Sequence, residues 1–210
     1  MKNLLLVLFT VVSMSVFGQT AAEYYAEAKE LADKNIKDYQ IPSKIAAALK
    51  LDSTNVKYYS LLAQHYLNKK QYHEAATLYK KAIVLDPTNL AYYWPLSKAL
   101  ISYNLRGSHK TDIGVFEGLA VLDTLLKKGT ASVKIYERII IANKVILADY
   151  HLRYKNFELP KPDTSEKERF KNIALKAYNT IVKSANKILE LDASNADAKS
   201  TLKYLEKPVF

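Results

Sequence analysis

Four histidines, His65, His73, His109 and His151, are the only imidazoles in this 210-residue chain that could ligate a metal or relay a proton. None stands four residues from a second histidine or from a carboxylate. That spacing is what would place two ligands, or an acid and a base, on one helical face. There is no cysteine, which excludes catalytic thiols, thiolate metal sites and disulfides together. The five glycines are scattered rather than clustered, so no phosphate-cradling loop is present, and no serine lies in a nucleophile-elbow context. The acidic residues fall on polar helix faces, where solvated charge accounts for them. The chain therefore offers no catalytic residues, no metal ligands and no cofactor site, and a non-enzymatic role is expected.

What remains is surface and shape, and the residues that build it recur at fixed intervals. Tyr59, Leu62 and Tyr66 share one helical face, as do Ala75, Tyr79 and Ala82 on the next helix. Ala63, Ala75 and Ala82 allow two helix backbones to approach closely while the tyrosines fill the gaps between them. Pro87 stops the second helix. The segment Leu49–Asn55 returns 34 residues later as Ile83–Asn89, each followed by a tyrosine pair, Tyr58-Tyr59 and Tyr92-Tyr93. A third copy, Leu189–Asn195, lies near the C-terminus. Asn55, Asn89 and Asn195 each stand where a side chain can cap the helix that follows.

The order Tyr59, Leu62, Ala63, Tyr66, Ala75, Tyr79, Ala82, Pro87 resembles a complete tetratricopeptide repeat, with Ala63 where the family usually carries glycine, and 34 residues is that family's period. The match is best over residues 56–89, weaker over 22–55 and 89–105, and faint beyond. The resemblance implies an all-α fold, a right-handed α-solenoid of helical hairpins closed by a C-terminal capping helix. It also implies a concave groove lined by the first helix of each hairpin and holding a peptide or protein partner. On that basis Lys57, Ser60, Gln64, Trp94 and Lys98 are the partner-binding candidates, with Trp94, the single tryptophan, as aromatic anchor. Some relatives clamp a partner's terminal carboxylate with lysine and asparagine; Ser60 and Gln64 depart from that set.

These residues need helices to hold them. The first is expected over Ala21–Lys37, and a second starts near Pro42 and buries Ile45, Ala48, Leu49 and Leu51. The next pair is expected at 55–69 and 72–85. A third hairpin opens with Tyr93, Leu96 and Leu100 and loses the pattern at His109, after a turn at Arg106–Ser108. A helix over about 112–128 presents Val115, Phe116, Leu119 and Leu122 on its apolar side, with Gly114 and Gly118 allowing close helix contact and Gly129 ending it. A long helix at about 131–156 is apolar on most faces, so neighbours should cover it on several sides. Another helix follows Pro162, and a final one over Asn195–Glu206 serves as the cap. Residues 19–105 are thus expected to be repeats and 106–210 a degenerate helical region of the same kind.

The first 18 residues are read separately. Lys2 followed by the apolar run Leu4–Phe17 has the form of a secretory signal peptide, with cleavage expected near Gly18-Gln19. The run is too short for a membrane anchor, and no cysteine follows it for lipid attachment. The processed protein is expected to be exported, periplasmic or secreted, and not integral to a membrane. Processing leaves 30 basic and 21 acidic residues, a net charge of +9. With no arginine-rich run, that charge favours an anionic envelope polymer or membrane surface, or an acidic protein partner, over nucleic acid.

Overall fold

A computed structural model describes residues 19–106, 112–156 and 164–210. Nine α-helices are found among them: α1 Ala21–Lys34, α2 Ile41–Leu51, α3 Val56–Asn68, α4 Tyr72–Leu85, α5 Tyr93–Arg106, α6 Asp112–Lys127, α7 Val133–Lys155, α8 Thr164–Leu191 and α9 Ala196–Tyr204. A single 3₁₀ turn, Leu90–Tyr92, precedes α5, and no strand occurs among the described residues. The expected breakpoints at His109 and at Gly107-Ser108 lie outside the described residues.

The helices pack in adjacent pairs, α1 with α2, α3 with α4, α5 with α6 and α7 with α8, and α9 closes against α8. First helices also touch first helices across the hairpins, α1 with α3, α3 with α5 and α5 with α7. That pattern of nearest-neighbour contacts is an all-α solenoid of the tetratricopeptide kind.

The turn that follows α2, α4 and α8 is built by the recurring Asp-x-Ser/Thr-Asn segment. Asp52 accepts from the Thr54 amide (2.9 Å) and hydroxyl (2.8 Å), and Asp86 accepts from the Thr88 amide (3.2 Å) and hydroxyl (2.8 Å). Asp192 does the same with Ser194, at 3.0 and 2.6 Å. The asparagine that follows caps the next helix: Asn55 accepts from the Lys57 amide, Asn89 from Ala91 and Asn195 from Ala198. The tyrosine register repeats as well. The Tyr59 hydroxyl donates to the Ser53 carbonyl and the Tyr93 hydroxyl to the Pro87 carbonyl, each at 2.9 Å and each reaching back six residues.

The core runs through the array as successive layers. Ile41, Ile45 and Tyr58 centre the first, Ala75, Tyr79 and Leu96 the second, Ile101, Leu122 and Ile139 the third, and Ile140, Ile181 and Ile188 the last. Ala63, Ala75, Ala82 and Ala99 have no exposed surface, as close backbone approach between paired helices requires. At the α5–α6 contact alanine itself is too large. A Cβ on Gly118 would stand 2.6 Å from Cγ1 of Ile101.

Several expected positions shift. α1 ends at Lys34, three residues early, because Asn35 turns to an extended conformation. Tyr58, not Tyr59, is the buried member of its pair; the Tyr59 hydroxyl bond to Ser53 holds that ring nearer the edge. Leu51, at the end of α2, is exposed rather than buried. Phe116 on α6 is also exposed, as are Ile141 and Val145 on α7. The long helix is covered on its α6 and α8 sides and left open on a third.

Candidate functional site

The first helices of three hairpins line a concave groove of about 600 Å³. α1 contributes Tyr25, Lys29 and Asp33, α3 contributes Ser60, Leu61 and Gln64, and α5 contributes Trp94 and Lys98. The geometry follows from the stacking of α1, α3 and α5. Residues at successive turns of α3, flanked by its two neighbours, become the groove floor. Of the five candidates, Ser60, Gln64, Trp94 and Lys98 are brought together here. Lys57 is not among the lining residues; it is exposed in the first turn of α3, where its amide donates to the capping Asn55.

The floor is mixed in polarity. Gln64 and Lys98 are exposed, and Ser60 is half-buried with its hydroxyl donating to the Lys57 carbonyl at 3.1 Å. Tyr79 reaches the groove from α4 while being 4% exposed. Burial pushes its hydroxyl well above the ordinary phenol range, so it stays a neutral hydrogen-bonding group. Tyr25 is shifted upward for the same reason, with its ring 5.2 Å from that of Tyr58. On the α1 side Lys29 pairs with Asp33 at 2.8 Å, which leaves that edge nearly neutral and Lys98 as the cation opposite.

Trp94 occupies two roles. It lines the groove, and it is half-buried against the layer built on Ile101 and Leu122. The guanidinium of Arg138 on α7 lies 5.9 Å from its ring centre, a cation–π contact that ties α5 to the following hairpin. Burial lowers the pKa of that guanidinium from its ordinary value.

Tyr25, Lys29 and Asp33 were not anticipated. The available signal was that Tyr25 precedes Tyr59 by one 34-residue period.

Other chemistry is sparse. Among the described residues no group of three His, Cys, Asp or Glu side chains could hold a metal ion. His65 is buried, His73 is exposed and stacks near Tyr103, and His151 contacts the Val209 carbonyl. Among the described residues no helix is long and apolar enough to cross a membrane.

Comparison with known proteins bears on the fold. The tetratricopeptide repeat family model matches residues 56–89, the α3–α4 hairpin. No curated protein matches the chain. A crystal structure of a candidate protein-binding protein from Bacteroides ovatus ATCC 8483 aligns with a TM-score of 0.50 at 14% identity, covering 88% of this chain and 95% of that one. At that identity the likeness concerns the fold. Residues 56–89 are thus a tetratricopeptide repeat, and the 34-residue recurrence and stacked helix pairs around them resemble an array of such units.

Proposed function

We propose that the protein is a non-catalytic interaction module that seats a peptide or protein segment in the groove formed by α1, α3 and α5. The observation that carries this is the convergence of Ser60, Gln64, Trp94 and Lys98 on one concave surface of about 600 Å³. An aromatic anchor beside adaptable polar groups is the composition in which binding energy concentrates. The description of the Bacteroides ovatus structure as a candidate protein-binding protein is in keeping with this role. The partner is a neutral or modestly acidic segment, because the Lys29–Asp33 pair cancels on one wall and Lys98 stands on the other.

The apolar run Leu4–Phe17 after Lys2 supports export of the protein, with cleavage near Gly18-Gln19 and a periplasmic or secreted destination. N-terminal sequencing of protein recovered from the native host tests this; a mature chain still beginning at Met1 rules it out.

The groove is tested by capture. Wild type and a Ser60→Arg/Gln64→Arg variant, both shown to be equally helical, are used as bait in host extract. A protein retained by wild type and lost from the variant is the expected result. An identical set of retained proteins rejects the groove. Retention of anionic envelope polymer or membrane in place of protein, weakening steeply with salt, would favour an accessory role acting through the overall positive charge.

A further inference from the structure

A second cleft, sharing no lining residue with the first, opens in the other half of the array between α6 and the α7–α8 hairpin. Its volume is about 710 Å³. The floor is apolar: Phe116, Leu119 and Leu126 from α6 face Ile139 and Ile146 from α7. Phe116 is 40% exposed at the cleft, its ring 6.5 Å from that of Tyr150. Asn143 and Ser184 are the polar groups set into the walls, each less than a tenth exposed.

One long edge is basic. Lys176, Lys183 and Lys187 recur along the cleft side of α8. Eleven residues of α-helix span about 16 Å, so these cations form a row rather than a cluster. Lys187 is partly neutralised by Glu190 at 2.5 Å. Among the described residues Lys176 and Lys183 form no ion pair, and both are exposed. The facing acid on α6, Asp123, is already paired with Lys127 at 2.6 Å.

We infer that this cleft binds an acidic amphipathic helix of a partner protein. The apolar stripes of α6 and α7 each run the length of the cleft, as a helix laid in a groove requires. The lysine row sets the occupant's register by meeting carboxylates on successive turns. A fatty acid or phospholipid presents its charge at one end and would need cations gathered at one point; here they extend over three turns. An acidic helix uses the whole edge.

The test employs the full chain and a fluorescein-labelled 18-residue helical peptide carrying leucine on one face and glutamate on its flanks. A matched peptide has lysine in place of each glutamate. Titrations are followed by anisotropy, with oleate and phosphatidylglycerol vesicles as competitors. The glutamate peptide should bind at least tenfold more tightly than the lysine peptide. Lys176→Glu/Lys183→Glu, both at exposed positions, should erase that preference. Ala120→Trp, which fills the cleft from an exposed position on α6, should weaken binding at least tenfold with helicity unchanged. Equal affinity for the two peptides overturns the inference, as does binding indifferent to either variant. Oleate or vesicle binding that is lost in Ala120→Trp, with no peptide binding, assigns the cleft to lipid and likewise overturns it.

Discussion

Nδ1 of His65 lies 2.8 Å from the carbonyl oxygen of Ile36, joining the last turn of α3 to the turn that follows α1. A carbonyl can only accept, so Nδ1 carries the proton and the ring is the neutral Nδ1–H tautomer. The side chain is 1% exposed, and burial pushes its pKa below the ordinary histidine value despite the carbonyl's opposing pull.

That shift fixes the sign of a pH effect. A histidine whose folded pKa is depressed binds its proton more readily in the unfolded chain. Its contribution to stability is therefore complete above the unfolded value of about 6.5 and is lost as the pH falls below it. Asp52 and Asp192 are held below the ordinary carboxylate value by hydrogen bonds from Thr54 and Ser194 respectively. Their contribution survives until the pH drops below about 4, so the two effects occupy separate windows. Urea midpoints measured from pH 7.5 to 5 should decline in wild type and stay level in His65→Gln. A parallel decline in both proteins would assign the effect elsewhere.

Gly118 marks a close contact between α5 and α6. Alanine there would drive its methyl into Ile101, which is fully buried and has no space to yield. Gly118→Ala should destabilise by about 1–3 kcal/mol, although the same change on an open helix face would stabilise. A raised urea midpoint would show that the α5–α6 contact is looser than described.

Lys70 is the only non-glycine residue with positive φ among the described residues, at 62°. It ends α3, with the Gln71 amide donating to the Tyr66 carbonyl and the Lys70 amide to Leu67. The same pair of bonds ends α6, where Gly129 takes the left-handed position at φ 81°. Lys70→Gly relieves the steric cost and should stabilise by about 0.5–1 kcal/mol, the gain being trimmed by glycine's greater freedom when unfolded. Thermal denaturation decides it; an unchanged or lowered midpoint counts against strain at this site.

The recurring caps carry a comparable contribution. Asn55→Ala and Asn195→Ala each remove an acceptor from a helix N-terminus and should each cost about 1 kcal/mol. Loss of the central cap, in α3, should reduce cooperative stability of the whole array, whereas loss at α9 should mainly fray the terminal layer. Hydrogen exchange on the two variants distinguishes local from global opening.

How much of this was legible in the sequence follows from how local each cause is. The Asp-x-Ser/Thr-Asn turns and the Gly129 stop were legible because their hydrogen bonds close within a few residues. The pairing of α3 with α4 was legible because small residues and tyrosines recur in one register. Exposure of Ile141 and Val145 was not, since an apolar helix does not reveal which of its neighbours are missing. The burial of Tyr58 in place of Tyr59 was equally hidden: adjacent tyrosines are interchangeable by composition, and a hydroxyl bond to Ser53 separates them. At the groove, α3 and α5 positions were accessible through the repeat register. Those of α1 lie in the repeat that keeps the register less well, and the cleft beside α6 depended on a gap between hairpins that no residue type announces.

Site-specific photo-crosslinking in the native host decides whether a partner segment lies along α1, α3 and α5. A crosslinking amino acid is placed at Gln64 in the groove and, as control, at the exposed Lys81 on α4. A discrete protein adduct is expected from position 64, absent from position 81 and lost when Lys98 and Ser60 are both changed to glutamate. Adducts at position 81 alone, or the same adducts at both positions, would contradict it.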